Sequence, residues 1–368
     1  MPTDIVVLAA GKGTRMNSHI AKVLHPLAGA PLIHHVVHTA KRVEPRHIAV
    51  VIGHQGAEVR ASFADDDSGL LWVEQQEQLG TGHAVKLAKE QLPDDGVMLI
   101  LYGDVPLISQ QTLTACENAA KNGNLGLVVA EFSDPAELGR IIRDDTGAVR
   151  EIVEFKDATS EQRQIGEINS GILAAPTTHL AQWLSRLQSN NAQQEYYLTD
   201  IIAMAAQDGV DVVPINAVSE AEVTGVNDRI QLAQLERHAQ KQRVDQLMLA
   251  GASFADPSRV DIRGRIRVGK DCFIDANVLL TGEVELGDGV ILLEINEEGL
   301  NFETSSPLSV TAVMNRLILD ARINSIDDLD FANDQTLFDK CLKHLPLKAV
   351  GDYSQELYAL FPNSDGDP

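Results

Sequence analysis

The sequence predicts an α/β protein in which a doubly wound, mostly parallel sheet is followed by a linker helix, a short parallel β-helix and a small helical tail. Two patterns support this prediction. Apolar, β-rich runs alternate with amphipathic helical patterns through the first 227 residues, which is typical of a parallel sheet with crossover helices. From residue 262 an aliphatic residue recurs every six positions, which is typical of a parallel β-helix.

The first strand and the turn after it suggest a phosphate site. Residues 4–8 form an apolar run long enough for one strand, and they are followed by Gly11 and Gly13, whose backbones can approach a ligand closely. The glycines stand too close together for a Walker loop, and Met16 occupies the third glycine position of a dinucleotide fingerprint. The turn nevertheless offers consecutive N–H groups, as a polyphosphate requires. Three cations accompany it: Lys12, Arg15 and Lys22. A plain strand-to-helix turn with solvated charges is the alternative.

The remaining elements of the first domain follow from periodicity. We predict strands at 47–53, 70–73, 97–104, 125–132, 168–175 and 211–216. We predict helices at 30–43, 80–92, 111–122 and 198–209. Residues 229–251 are expected to form one long linker helix that ends at Gly251, so the first domain is placed at residues 1–228.

Composition and charge disfavour several classes of partner. The chain has 53 acidic and 30 basic residues and a net charge of −23, so neither a nucleic acid nor an anionic membrane is expected as a main partner. The cysteines Cys116, Cys272 and Cys341 are odd in number and lack metal-ligand spacing, which indicates reduced thiols and a cytoplasmic location. We find no signal segment and no apolar stretch of membrane-spanning length.

The six-residue repeat defines a second domain at residues 252–292. Its first positions are aliphatic in five consecutive hexads: Ile262, Val268, Ile274, Leu280 and Leu286. The period is lost from about Leu293, and residues 293–368 carry five basic and fourteen acidic side chains. Within this acidic tail, residues 334–345 place apolar side chains on one helical face, so we expect a small helical appendage there. Its role is not evident from the sequence.

A series of motifs connects these features to a known family. They are LAAGKGTRM at 8–16, EQLGTGHAV at 77–85, LYGDVPL at 101–107, GRII at 139–142, IVEFKDA at 152–158, EINSGI at 167–172, NAQQEYYLTDII at 191–202 and GVNDR at 225–229. The motifs occur in the order typical of the bacterial N-acetylglucosamine-1-phosphate uridyltransferases. The chain resembles this family over residues 4 to about 292.

The resemblance implies a Rossmann-like nucleotidyltransferase domain that joins N-acetylglucosamine 1-phosphate to UTP with Mg²⁺. The products are pyrophosphate and UDP-N-acetylglucosamine, a precursor of the cell envelope. In the bifunctional form of the family, a longer left-handed β-helix forms trimers and acetylates glucosamine 1-phosphate with acetyl-CoA. Five hexads make fewer than two coils of three hexads each, so we expect no acetyltransferase activity here, and the short repeat argues against a trimer.

The resemblance also implies the site residues. Arg15 and Lys22 correspond to the catalytic cations, and Asp104 and Asn227 to the magnesium ligands. The positions that bind the two substrates are Leu8, Ala9, Ala10, Gly11, Gly13, Gln75, Gly80, Thr81, Tyr102, Gly103, Gly139, Glu154, Asn169, Tyr197, Thr199 and Asn227. Gln75 with the Gly80–Thr81 turn would recognise uracil, because an amide offers a donor and an acceptor to a pyrimidine edge.

Simpler interpretations exist for individual residues and for the whole chain. Without its motif, Asp104 would be taken as a cap or turn residue, and Asn169 or Thr199 as a turn residue or helix cap. His34 and His38 are four apart on a predicted helix, but no third metal ligand accompanies them. The chain could instead be a glucose 1-phosphate enzyme using UTP or dTTP, or a non-catalytic sugar-nucleotide binder. The hexads argue against the former, and the intact cations and metal-ligand positions against the latter.

Overall fold

A computed structural model describes residues 1–64 and 69–293 of the chain. The chain divides into two compact units, and the boundary between Ala239 and Gln240 falls inside a long helix. The first unit contains the strands β1 (Thr3–Ala9), β2 (Pro26–Leu27), β3 (Ala30–Pro31), β4 (His47–Ile52), β5 (Leu70–Glu74), β6 (Val97–Tyr102), β7 (Leu125–Glu131), β8 (Arg140–Arg143), β9 (Val149–Val153), β10 (Glu167–Pro176) and β11 (Val212–Asn216). The helices are α1 (Leu32–Lys41), α2 (Gly56–Ala61), α3 (Thr81–Lys89), α4 (Gln110–Lys121), α5 (Thr177–Arg186), α6 (Asp200–Gln207), α7 (Glu220–Val223) and α8 (Arg229–Ala250), which continues into the second unit.

The main sheet has the strand order β11-β7-β10-β6-β1-β4-β5. β1 pairs in parallel with β4 and β6, β4 with β5, and β11 with β7. β10 is antiparallel to both of its neighbours, and the β8–β9 hairpin joins the sheet through β10. The mostly parallel α/β sheet predicted from the alternating pattern is therefore confirmed. The hairpin escaped sequence analysis because its short strands carry charged residues among the apolar ones.

Two apolar layers cover the faces of this sheet, and β1 supplies both. Ile5 and Val7 lie in the cluster that includes the apolar faces of α1 and α4, whereas Val6 and Leu8 face the cluster of α3, α5 and α6. This alternation follows from the two-residue period of a strand. β1 is buried along its whole length, so its carboxyl end is a rigid platform for the glycine turn.

The turn after β1 does not lead directly into an α-helix, as the alternative of a plain strand-to-helix turn would require. It leads into a single 3₁₀ turn at Thr14–Met16, flanked by left-handed residues Gly13 (φ 60°) and Asn17 (φ 47°). Met16 is fully buried against Leu27, Leu32 and other apolar side chains. The position that a dinucleotide fingerprint reserves for glycine therefore serves as an apolar anchor that holds the turn in place.

The second unit contains short parallel strands after the end of α8. They are β12 (Ala252–Phe254), β13 (Asp261–Val268), β14 (Cys272–Ile274), β15 (Leu279–Leu286) and β16 (Ile291–Leu292). In the pairs β13–β15 and β14–β16, residues 18 positions apart pair in parallel, as in Asp261 with Leu279, which is the offset expected of three hexads per coil. The pair β12–β14, which precedes the hexads, has an offset of 20. The left-handed β-helix itself stays a prediction. The helical tail predicted at 334–345 lies outside the described residues.

Gly264 offers a test of this parallel packing. A Cβ built on Gly264 would lie 1.9 Å from the carbonyl oxygen of Gly282, its partner on β15. We expect Gly264→Ala to destabilise the second unit by about 1–3 kcal/mol, because the strands must separate to admit the methyl group. Thermal unfolding and amide hydrogen exchange of β13 and β15 measure this effect. The control is Gly287→Ala, since no atom lies within 4 Å of a Cβ built there. Equal stability of the two variants would contradict the expected packing.

None of the helices in residues 1–64 and 69–293 combines the length and the apolar character needed to cross a membrane.

Candidate active site

The carboxyl ends of β1 and β6 meet at one edge of the sheet. The two strands are adjacent and parallel, with Leu8 opposite Tyr102, and the Gly103 N–H donates to the Leu8 carbonyl at 2.9 Å. Ala9, the last residue of β1, therefore lies beside Gly103, and Ala10 and Gly11 continue the chain from that point. This is the edge at which open α/β sheets bind ligands.

Gly13 allows Lys22 to lie against the glycine turn. A Cβ built on Gly13 would be only 2.6 Å from the Lys22 Cβ, and the left-handed backbone at Gly13 also disfavours any other residue. Lys22 begins the 3₁₀ turn Lys22–Leu24, whose Val23 is buried in the sheet core. The base of the Lys22 side chain is thus fixed by packing.

The Lys22 ammonium joins the two residues predicted to hold a metal. It forms an ion pair with Asp104 Oδ2 and donates to Asn227 Oδ1 at 3.2 Å. Both Lys22 and Asp104 have side chains that are only 14% exposed. The loop carrying Asn227 is held in place by backbone contacts, since Val226 N–H donates to the Asp104 carbonyl at 2.9 Å and Gln231 Oε1 accepts from Asn227 N–H at 2.8 Å.

Arg15 lies apart from this cluster. One guanidinium nitrogen is 3.6 Å from Glu137 Oε2, and the two side chains are 61% and 72% exposed. Glu137 belongs to the loop before β8 and was not anticipated from the sequence. Buried Arg140 shapes that loop, because its guanidinium donates to the carbonyls of Leu138 and Ala136.

The predicted base-binding residues gather between β5 and α3. Gln75 is buried, its Nε2 donates to the Gly80 carbonyl at 3.0 Å, and Gly80 has a left-handed backbone (φ 105°). Thr81 begins α3 and accepts a hydrogen bond from the Leu198 N–H at 3.2 Å. Sequence analysis missed Gln78, whose Nε2 donates to the Ala10 carbonyl at 2.6 Å and ties this loop to the glycine turn. Its position within the EQLGTGHAV motif was the available signal.

The predicted sugar-binding residues, here called the sugar-binding group, contain two hydrogen-bonded pairs. Thr199 Oγ1 donates to Glu154 Oε1 at 3.0 Å, and the Asn169 N–H donates to the Gly139 carbonyl at 2.9 Å. A Cβ on Gly139 would lie 3.3 Å from Glu154 Oε2, so this glycine lets the carboxylate approach the backbone closely. Burial raises the pKa of Glu154, and the hydrogen bond from Thr199 opposes that shift.

Tyr102 lies near the Lys22–Asp104–Asn227 cluster and near the predicted sugar-binding residue Glu154. Burial raises its pKa, and the nearby carboxylates of Glu154 and Asp104 raise it further. The ring packs against Gly171, where a Cβ would be 2.5 Å from the ring. The phenol therefore lies near both Asp104 and Glu154, which belongs to the predicted sugar-binding residues. Tyr197 has a pKa of about 12, raised first by burial and then by neighbouring carboxylates.

The cluster provides oxygen donors for a cation. Asp104 supplies a carboxylate and Asn227 an amide oxygen, and both already converge on one positive charge. Within residues 1–64 and 69–293 there is no group of three or more His, Cys, Asp or Glu side chains placed to hold a metal. His34 stacks on Phe63 and lies 3.1 Å from Ser62 Oγ, which gives it a structural environment.

Comparisons with known proteins place this fold in a family. The family model for a MobA-like NTP transferase domain matches residues 5–247. A bifunctional protein GlmU from Acinetobacter baumannii (strain ACICU) is 50% identical over 290 residues, which are 79% of this chain and 63% of that protein. A bifunctional protein GlmU from Pseudomonas aeruginosa (strain LESB58) is 54% identical over 277 residues, 75% of this chain and 60% of that protein. The chain thus spans less than two thirds of these relatives.

A solved structure supports the fold alone. A putative glucose-1-phosphate thymidylyltransferase from Bacillus anthracis superposes with a TM-score of 0.52 and 18% identity, over 64% of this chain and 95% of that one. Because the family model covers well over half of the chain, the protein belongs to the family of MobA-like NTP transferase domains.

Proposed function

We propose that this chain transfers the uridylyl group of UTP to N-acetylglucosamine 1-phosphate and releases pyrophosphate, as a cytoplasmic step that supplies cell-envelope precursors. The observation that carries the proposal is the convergence of Lys22, Asp104 and Asn227 beside the glycine turn. It is strengthened by identity of about 50% to proteins named bifunctional GlmU. The same residues could serve another sugar 1-phosphate or another nucleotide, so the substrates need a direct test.

The reaction requires no covalent intermediate on the protein. An oxygen of the sugar phosphate attacks the α-phosphorus of UTP, a new P–O bond forms, and the bond to the β-phosphate breaks with its electrons leaving on pyrophosphate. Both reactants are anions, so the barrier depends mainly on positioning and on neutralising charge. Lys22, Arg15 and the N–H groups after β1 are the residues proposed for that task, and they lie on one loop of the chain.

The donor set of the cluster suits Mg²⁺. Carboxylate and amide oxygens are hard ligands, and Mg²⁺ commonly takes only one or two protein ligands and completes its shell with phosphates and water. We propose Asp104 and Asn227 as these ligands. When bound, Mg²⁺ would neutralise phosphate charge. The protein groups around the cluster orient Asp104 through its carbonyl and Asn227 through its N–H.

The sugar-binding group would recognise hydroxyl and amide groups of N-acetylglucosamine. Asn169 and Thr199 are polar and buried, Glu154 is half-buried, and Gly139 leaves room beside the carboxylate. A pocket of this kind rejects analogues that lack a matching polar group, because its own groups would then be left without partners.

A pyrophosphate-release assay tests the proposal. The purified chain is incubated with each of UTP, CTP and dTTP in combination with N-acetylglucosamine 1-phosphate, glucose 1-phosphate or glucosamine 1-phosphate. We expect the highest kcat/KM for UTP with N-acetylglucosamine 1-phosphate. Preference for glucose 1-phosphate or dTTP would favour another sugar nucleotidyltransferase. Binding of UDP-N-acetylglucosamine without turnover of any pair would favour a non-catalytic binder.

Base selectivity is expected to depend on Gln75. Its Nε2 donates to the Gly80 carbonyl, and the amide oxygen is the atom proposed to accept from the base. Uracil has an N3–H that can donate to this oxygen and cytosine has none, so Gln75→Ala should lower the ratio of UTP to CTP turnover on the order of tenfold. Steady-state kinetics with both nucleotides measure the ratio. Gln76→Ala, at an exposed neighbouring position, is the matched control. An unchanged ratio in Gln75→Ala would remove Gln75 from base recognition.

We also propose that this chain lacks the acetyltransferase activity implied by the bifunctional relatives. The hexad pattern ends near residue 292, and residues 293–368 contain neither the period nor a recognisable acetyl-transfer motif. Incubation with acetyl-CoA and glucosamine 1-phosphate should release free thiol no faster than the no-enzyme control. Turnover well above that control would contradict the proposal, and a bifunctional relative assayed in parallel shows that the conditions support the reaction.

A further inference from the structure

We propose that the Lys22 ammonium and a divalent cation compete for the oxygens of Asp104 and Asn227, so that cation binding moves Lys22 away toward the glycine turn. The inference rests on the proposed function in one respect, which is that it takes these two residues as the cation ligands. It goes beyond that function because it assigns Lys22 a second position and couples the cation to it.

The contacts of Lys22 carry this inference. The ammonium pairs with Asp104 Oδ2 and lies 3.2 Å from Asn227 Oδ1, the two oxygen-bearing side chains proposed as cation ligands. All of this occurs in a partly buried setting, where Lys22 and Asp104 are each 14% exposed. Charges in such a setting are poorly screened by water. An ammonium and a divalent cation that share the same two oxygens therefore repel each other strongly.

Lys22 also has a place to move to. Its Cβ is fixed against Gly13, but the chain beyond the Cβ has rotatable bonds that can swing the ammonium. Gly13 and the N–H groups of the same turn form the region proposed to hold the triphosphate. A Lys22 released from Asp104 would therefore point its charge at the phosphates. The exchange brings two cationic groups to the nucleotide, the divalent cation and the ammonium, in place of one.

Competition is tested first by cation binding without nucleotide or sugar phosphate. Mn²⁺ is titrated into the full chain and followed by its free-ion electron paramagnetic resonance signal. Removal of the nearby positive charge in Lys22→Met should tighten Mn²⁺ binding at least on the order of tenfold. The control Lys12→Met removes the same charge from an exposed position of the turn and should change the affinity less than threefold. Equal affinities of the two variants would overturn the proposal.

A double variant tests whether the tighter Mn²⁺ binding depends on Asp104. In the double variant Lys22→Met with Asp104→Asn, the tighter Mn²⁺ binding should be lost, because residue 104 no longer offers a charged oxygen to the cation. Retention of tight binding would place the cation elsewhere and overturn the proposal. If Lys22→Met does not fold, Lys22→Gln replaces it, and circular dichroism verifies the fold of each variant.

Displacement of the lysine is tested separately by chemical labelling. The full chain is treated briefly with an amine-acylating reagent, and labelling of Lys22 and Lys12 is quantified by mass spectrometry with and without saturating Mn²⁺. Labelling of Lys22 should rise severalfold when Mn²⁺ is present, while that of Lys12 should stay unchanged. In Asp104→Asn, Lys22 should label rapidly under both conditions. Protection of Lys22 that persists at saturating Mn²⁺ would overturn the proposal.

These outcomes can be separated from failure of the proposed function. If Lys22→Met binds Mn²⁺ more tightly but the unsubstituted chain does not turn over UTP, the competition stands and the proposed uridylyl transfer is wrong. Turnover of UTP, combined with equal Mn²⁺ affinity of Lys22→Met and Lys12→Met, would remove the competition and leave the function intact.

Discussion

Asp104→Ala is expected to lose nearly all uridylyl transfer, with kcat reduced at least on the order of 10²–10³-fold. Asp104 supplies the carboxylate that pairs with Lys22, and it lies two residues after Tyr102, the last residue of β6. Its loss removes both the proposed cation ligand and the partner of the lysine. Pyrophosphate release at increasing Mg²⁺ concentration measures the effect, and excess Mg²⁺ should not restore activity.

The fold should survive this change. Asp104 contributes its backbone carbonyl to the loop of Asn227, and alanine keeps that carbonyl. Circular dichroism and thermal unfolding check the fold. The matched control is Asp94→Ala, which removes a carboxylate from an exposed position in the same unit and should retain kcat within twofold. Substantial Mg²⁺-dependent turnover by Asp104→Ala would show that another residue anchors the cation.

Much of the fold could be predicted because the signal is local. Residues 5–9 of β1, 48–52 of β4 and 97–101 of β6 are continuous apolar runs, which are typical of a strand buried on both faces. The β8–β9 hairpin was not predicted because its first strand begins and ends with an arginine, Arg140 and Arg143. Arg140 is nevertheless buried, since backbone carbonyls of the preceding loop satisfy its guanidinium. These hydrogen bonds exist only once the loop has folded, so no apolar period in the sequence indicates that Arg140 is buried.

The candidate site likewise has residues that local motifs suggest and contacts that only the fold creates. The motifs identified Lys22, Asp104 and Asn227, but their mutual contact joins residues separated by 82 and 205 positions along the chain. No pattern in a single sequence reveals which atoms meet over such separations. Glu137 and Gln78 were missed for a related reason, because their importance lies in a partner, Arg15 or Ala10, rather than in the residue type.

Arg15→Ala is expected to lower kcat on the order of 10²–10³-fold with little change in KM. The contact with Glu137 is a long, exposed ion pair, and pairs of this kind contribute about 0–1 kcal/mol at most. Releasing the guanidinium from Glu137 therefore costs little. Its charge can then follow the negative charge that moves onto pyrophosphate as the α–β bond breaks.

Steady-state kinetics separate this role from simple binding. If Arg15 stabilises the leaving group, kcat falls in Arg15→Ala and KM for UTP stays within about threefold, because the ground state holds the triphosphate through Lys22 and the backbone N–H groups. The control Glu137→Gln breaks the same pair from the other side and should leave kcat within threefold. A rise in KM alone would make Arg15 a ground-state ligand of UTP. An equal fall of kcat in both variants would show that the ion pair itself, which bridges the glycine turn and the loop before β8, is what the reaction requires.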